Sequence, residues 1–225
     1  MGIFEALPWS FYEDDTTRFW VHYGLVLLGL LLAVITFIVQ WLSPAPYGKH
    51  ERTDANWGVM IPQRIGHILS DAVPDVLLFL IRNKSFSHGY KNPYVALGIT
   101  LGGFFPNCLY HFVNADFIGS AHYNNNYFFD PRFIIGIVLF IVGYIINKWA
   151  DWKLRSLRDR KGDDGSTGYY IPYGGLFELV TCPNYFGEFV EWIGWSIATW
   201  SAAGFVWTVF ASATFFPRAR HNHQW

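Results

Sequence analysis

Charge is scarce in this sequence, and cysteine is scarcer. Charged residues make up 15% of its 225 positions, against roughly 25% in a soluble globular domain. Hydrophobic residues make up 52% and aromatics 20%. From Phe19 to Gly48 there is no Lys, Arg, Asp or Glu, and the Val21–Trp41 core of that run reaches the roughly 20 residues that cross a bilayer. The two cysteines, Cys108 and Cys182, form no Cys-x-x-Cys pair and lie in or beside apolar segments, which excludes a disulfide framework and leaves them as packing residues. A net charge of −1 gives no reason to expect nucleic acid. Glu5, Glu13, Asp14 and Asp15 precede the first base, Arg18. The basic opening of a cleaved signal peptide is therefore absent, and Val21–Trp41 is expected to stay as the first span. No Gly-x-Gly-x-x-Gly, phosphate-binding loop or His-Glu-x-x-His occurs, so neither a Rossmann domain nor a metal site is expected. There is no internal repeat. These absences leave an integral membrane protein.

What is present reads as an all-α, polytopic membrane helical bundle occupying residues 1–225 as one domain. Six spans are legible: Val21–Trp41, a poorer one over Arg64–Ile81, Pro93–Ala115, Phe133–Trp149, and two within Phe189–Phe216, with a hairpin turn expected at Ala202-Ala203-Gly204. The basic stretches 49–52, 82–91, 148–161 and 218–220 belong on the cytoplasmic side, and the acidic stretches 1–15 and 116–130 outside. One crossing at 64–81 would put residues 82–91 and 148–161 on the wrong side. A further crossing between about residues 70 and 90 repairs every loop, so seven spans are expected.

Two polar faces stand out. Asn147, Asp151, Arg155 and Arg158 fall at i, i+4, i+8 and i+11, and Asn184, Glu188, Glu191 and Trp195 at i, i+4, i+7 and i+11, each set on one side of a helix. Carboxamides and carboxylates can meet ribose hydroxyls or a carboxamide, and guanidinium groups suit phosphates. The plainer reading of the first face is a solvated surface with an Asp151–Arg155 pair. Glutamates entering apolar sequence need partners or a polar cavity. Asp71 poses the same question at the depth of a span, unless 64–81 is interfacial or broken. Phe104, Phe105, Trp195, Trp200, Phe205 and Trp207 suit a flat apolar substrate, with contact to lipid as the plainer role.

Several motifs together resemble the steroid 5α-reductase family, in a bacterial-type member. They are Tyr47-Gly48-Lys49-His50, Asn147…Asp151…Arg158, Ile171-Pro172-x-Gly174-Gly175-Leu176-Phe177, Asn184-x-x-Gly187-Glu188-x-x-Glu191-Trp192-x-Gly194, Ala198-Thr199-Trp200-Ser201 and Arg218-Ala219-x-His221-x-His223. The resemblance implies seven membrane helices, NADPH bound from the cytoplasmic side, and reduction of the Δ4 bond of 3-oxo steroids. Residues 19–93 would form the substrate-side half and 94–225 the cofactor half. Carried over by position, Asn147, Asp151, Arg158, Tyr169, Asn184, Glu188, Trp192 and Arg218 match cofactor-pocket residues, and Asn222 stands at another such position.

Ungapped counting places the family's Gln-Glu substrate pair on Ser70 and Asp71. The family's His-Arg-x-x-x-Tyr segment has no counterpart between Val76 and Lys84, where loop charge also calls for another crossing. The expectation is that a segment is missing there and that Trp225 is not the natural end. Hydride would pass from NADPH to C5 of the enone, with Asp71 or the unseen tyrosine at the carbonyl oxygen. The expected setting is a monomer in a bacterial inner membrane or the endoplasmic reticulum, acting on a small apolar steroid-like substrate. Rival readings are an isoprenylcysteine-type methyltransferase using S-adenosylmethionine and a non-catalytic sterol- or lipid-binding protein.

Overall fold

The computed structural model describes residues 14–43, 59–62, 94–158 and 170–224. Helix α1 runs Asp15–Leu42. Asp14 caps it, accepting from the Thr17 amide at 2.6 Å and the Thr17 hydroxyl at 2.9 Å, which satisfies donors the helix start leaves open. Its buried residues are His22, Val26, Gly29 and Ala33, one narrow stripe at helical spacing. The rest of α1 presents Leu, Ile, Val and Phe outward, as a helix surrounded by lipid does.

The other long helices are α2 (Leu97–Ser120), α3 (Pro131–Arg158), α4 (Pro183–Thr199) and α5 (Ala202–Gln224). Two helices, α1 and residues Pro131–Leu157 of α3, are long and apolar enough to cross a membrane. Strands β1 (Met60–Pro62) and β2 (Tyr94–Ala96) pair antiparallel, with Ile61 opposite Val95. This pair departs from a purely helical fold. The Arg64–Ile81 span and the step expected near 76–84, Lys84 included, lie outside the described residues.

The α4–α5 hairpin differs from expectation. The turn is Trp200-Ser201, not Ala202-Ala203-Gly204, and α4 begins at Pro183, six residues before Phe189. Proline at the first helical position costs no hydrogen bond and presets the backbone. Ser201 accepts from the Gly204 amide at 2.9 Å and caps α5, so the small residues after it begin a helix instead of bending the chain. Trp200 closes α4 in the left-handed region, φ 46 and ψ 47.

Helices α3 and α4 form the most extensive interface among the described residues and run antiparallel, with backbone meeting backbone at four glycines. A Cβ on Gly187 would stand 2.5 Å from the Asn147 amide nitrogen and 2.7 Å from the Gly143 carbonyl. Gly136, Gly143 and Gly194 are equally hemmed in by facing backbone. A second core forms where α1, α2 and α5 meet, around Val26, Ala33, Tyr110, Val113, Val206 and Phe210. There the Tyr110 hydroxyl donates to the Gly29 carbonyl at 2.7 Å. Asp116 of α2 accepts from Arg18 at 3.1 Å and binds His22 Nδ1 at 2.9 Å, so α1 and α2 are antiparallel. Contacts from Gly29 to Val206 and from Gln40 to Arg218 run in step, so α1 and α5 are parallel.

The five helices therefore share two ends. Asp15, Ser120, Pro131, Thr199 and Ala202 lie at one. Leu42, Leu97, Arg158, Pro183 and Gln224 lie at the other, together with Lys148, Lys153, Arg155, Arg218 and Arg220.

The seam generates the first prediction. Gly187→Ala is expected to lower stability by about 1–3 kcal/mol, the usual cost of overpacking against unyielding atoms, read as a fall in thermal midpoint in detergent. Gly24, whose Cβ would meet nothing within 4 Å, is the control. Gly24→Ala should be neutral or raise stability by up to about 1 kcal/mol. An equal response to the two changes would refute close approach at Gly187.

Candidate functional site

The glycine seam sets the register of the two polar faces. Asn147 of α3 is buried and its Nδ2 donates to the Asn184 carbonyl at 3.1 Å. Glu188, one turn along α4, lies within electrostatic reach of Glu191, Asp151, Lys148 and Arg218. Asp151 is thus turned toward α4. The Asp151–Arg155 pair of the plainer reading is not among the ion pairs of the described residues, and Arg155 is exposed. Three carboxylates and two cations from three helices meet at the basic end. Such a group persists in an apolar bundle only if the charges offset one another or a ligand completes them.

Helix α5 closes the group. Arg218 Nε donates to Gln40 Oε1 at 3.1 Å, and His221 Nε2 donates to the Gln40 carbonyl at 3.0 Å. Asn222 Nδ2 reaches Cys182 Sγ at 3.5 Å. Gln40 was not singled out in the sequence, yet it is the only amide side chain between Phe19 and Gly48. A lone amide in an apolar span was the available signal. Lys148, which also sits over the Tyr144 ring at 5.2 Å, was likewise missed as a partner of Glu188.

Trp192 lies one turn deeper. Its ring meets Trp207 edge-on at 5.2 Å, and its Nε1–H is buried with no hydrogen-bond partner among the described residues. An unpaired buried donor is uncommon in native proteins and marks a place where a ligand acceptor fits. The segment before α4 lies against α3: Trp149 covers Gly175, whose φ is 62, and its ring meets Phe177 tilted at 5.7 Å. The Gly174 amide, at φ 91, donates to Glu178 at 2.7 Å. Gly174-Gly175 is thus a turn that needs glycine.

The structure gathers Asn147, Asp151, Asn184, Glu188, Trp192, Arg218 and Asn222 at one end of three helices. Arg158 closes the last turn of α3, and its side chain, with Tyr169, Ser70 and Asp71, lies outside the described residues. Of the six aromatics matched to a flat substrate, Trp207 packs internally, whereas Phe105, Trp200 and Phe205 are exposed. Among the described residues no group of three or more His, Cys, Asp or Glu is placed to hold a metal ion.

The family described as 3-oxo-5-alpha-steroid 4-dehydrogenase matches residues 98–225. The chain belongs to this family. Cotton (Gossypium hirsutum) steroid 5-alpha-reductase DET2 is 34% identical over 251 aligned positions, covering 94% of this chain and 91% of that protein. The tomato (Solanum lycopersicum) protein of the same name is 32% identical, covering 89% and 88%. Bovine (Bos taurus) 3-oxo-5-alpha-steroid 4-dehydrogenase 1 is 45% identical over 105 residues, 47% of this chain and 39% of that one. The 251 positions of the cotton alignment exceed this chain's 225 residues by 26, so at least that many positions of the relative have no counterpart here. Membership in this reductase family and two candidate spans identify a membrane protein.

Trp192→Phe removes a donor that has no partner among the described residues. In the ligand-free protein it should leave stability unchanged or raise it, because a buried unpaired N–H costs about 1–3 kcal/mol. A thermal midpoint lowered by an equivalent amount would reveal a partner for the indole.

Proposed function

We propose that the protein is a multi-pass membrane reductase that saturates the Δ4 double bond of a 3-oxo steroid with NADPH. The observation that carries this reading is the polar group of Asn147, Asp151, Asn184, Glu188 and Arg218 inside an apolar bundle, in a chain of this family. The relatives are named steroid 5-alpha-reductases, and nothing favours a methyltransferase or a non-catalytic lipid binder.

NADPH, when bound, supplies the hydride. The carboxylates of Asp151 and Glu188 and the amides of Asn147 and Asn184 suit the hydroxyls and carboxamide of a nucleoside better than its phosphates. The phosphates belong with Arg158, Arg218 and their neighbours at the rim, where guanidinium groups pair with phosphate oxygens. Gln40 holds Arg218 from α1. Trp192 offers its N–H and ring at the inner end, and Tyr169 and Asn222 complete the binding set. Ser70 and Asp71 take the substrate side, with Asp71 opposite the enone oxygen, where a donor stabilises the developing enolate.

The basic end faces the cytoplasm in this reading, by the excess of Lys and Arg there. Leu42 and Leu97 then lie on one face of the membrane. That arrangement is in keeping with a seven-span protein.

Saturating NADPH should raise the thermal midpoint, with a stabilisation of about 2.7 kcal/mol at a hundredfold excess over Kd, and S-adenosylmethionine should not. Asn184→Ala and Glu188→Ala should each weaken NADPH binding by about 1.5–3 kcal/mol, ten- to hundredfold, in a bundle that still folds. Unchanged affinity in both variants would remove these residues from the site.

Asp71→Asn should keep NADPH affinity and depress turnover of a 3-oxo-Δ4 steroid. Equal turnover by the two forms would show that Asp71 is not the group opposite the carbonyl.

A further inference from the structure

At the end of the bundle opposite Asn147 and Glu188, the α2–α3 connection and the α4–α5 turn enclose an open cleft of about 610 Å³. That volume is within the roughly 300–1,000 Å³ of small-molecule sites. Its polar and aromatic lining includes His122, Asn124, Asn126, Asp130, Arg132 and Trp200.

The walls are fixed in place. The Tyr123 hydroxyl donates to the Thr199 carbonyl at 2.7 Å and the Tyr127 hydroxyl to the Ala198 carbonyl at 3.0 Å. Both bonds satisfy carbonyls that the end of α4 leaves open. Burial pushes the Tyr123 phenol up to about 12, so it remains a donor.

Trp200 is the unusual wall. A left-handed helix end is ordinarily glycine, and a bulky residue there is strained. Yet Trp200 stands at φ 46 with 62% of its surface exposed, so burial does not offset the strain. Arg132 lies over its ring at 5.1 Å, and Asp130 holds Arg132 in a two-point pair at 2.9 and 2.8 Å. Those Arg132 hydrogen bonds hold the Asp130 carboxyl down at about 2. Both groups therefore stay ionised and offset each other. A phosphate meets Asp130 and an ammonium meets Arg132, so the pair favours neither charge.

What remains is neutral hydrogen-bonding capacity beside an aromatic face. Asn124 Oδ1 accepts from the Asn126 amide at 3.2 Å, and among the described residues the Asn124 NH₂, the Asn126 side chain and His122 are left for a ligand. A ring that carries hydroxyls at its edge and C–H bonds on its face matches this set, since those hydrogens pack on the negative face of an indole, here the side of Trp200 that Arg132 does not cover. Phe128 and Phe129 beside the cleft are exposed, Phe129 at 79%, as aromatics are at headgroup depth. We propose that the cleft binds a neutral sugar ring, either a glycolipid head group or a free glycoside.

The test uses the full chain in phosphatidylcholine nanodiscs, free of glycoside detergents, with a fluorescent neutral glucosyl lipid read by anisotropy. Saturable binding is expected. Trp200→Gly should weaken it about tenfold or more while leaving the thermal midpoint unchanged or higher, because glycine relieves the strained backbone. Asn126→Ala should weaken binding independently. Competition by methyl glucoside would identify the ring alone as the ligand, and competition restricted to glycolipid would identify a lipid head group. Non-saturable binding, equal affinity in both variants, or displacement by phosphatidylglycerol as readily as by glycolipid would overturn the proposal. Steroid turnover in the same nanodiscs reports separately on the reductase reading.

Discussion

Direct backbone contact between α3 and α4 is the constraint on which the site depends. In lipid there is no hydrophobic force to draw two helices together, so close van der Waals approach has to do it. Gly136 and Gly143 are seven residues apart on α3, and Gly187 and Gly194 seven apart on α4, which keeps each pair on one helical face. Each is pressed against the opposite backbone. Interlocking at four points allows one register, and that register sets Asn147 opposite Asn184. A slip by one turn would move the Asp151 and Glu188 carboxylates apart and leave each without its surroundings.

The electrostatics follow from that register. Glu188 lies among Glu191, Asp151, Lys148 and Arg218, a mixture that a helix pair alone could not hold. Arg218 comes from α5, and its position depends on Gln40 at the far end of α1. A helix whose surface faces mostly outward thus contributes one amide that decides where a guanidinium stands. Four helices cooperate in a site that only two polar faces announce.

Those faces were legible because helical spacing puts i, i+4 and i+7 together whatever surrounds them. The apolar runs of α1 and α3 were legible from the scarcity of charge. The partners were not: Gln40 and Arg218 are 178 positions apart, and no local pattern reports a contact across that distance. The α4–α5 turn was misplaced because three small residues resemble a bend, while the Ser201 cap that starts α5 was the better signal. The β1–β2 pair is three residues per strand, too short for alternation to show. Loop charge put the stretches 49–52 and 82–91 on one side of the membrane, and both lie outside the described residues. Ser70 and Tyr169 rested on motif position alone, and Asp71 on motif position and its depth in a poorer span; all three lie outside the residues whose structure is described.

The unequal lengths of α3 and α4 carry one more consequence. Helix α4 has 17 residues, about 25 Å, less than the roughly 30 Å of hydrocarbon in a bilayer. Helix α3 has 28 residues and runs on past the start of α4 as a ledge, with Trp149 and Phe177 packed along it. The polar group at Asn184 and Glu188 is therefore recessed at the foot of that ledge. Lys153, Arg155 and Arg158 lie along that overhang, so α3 carries its basic residues past the level at which α4 begins.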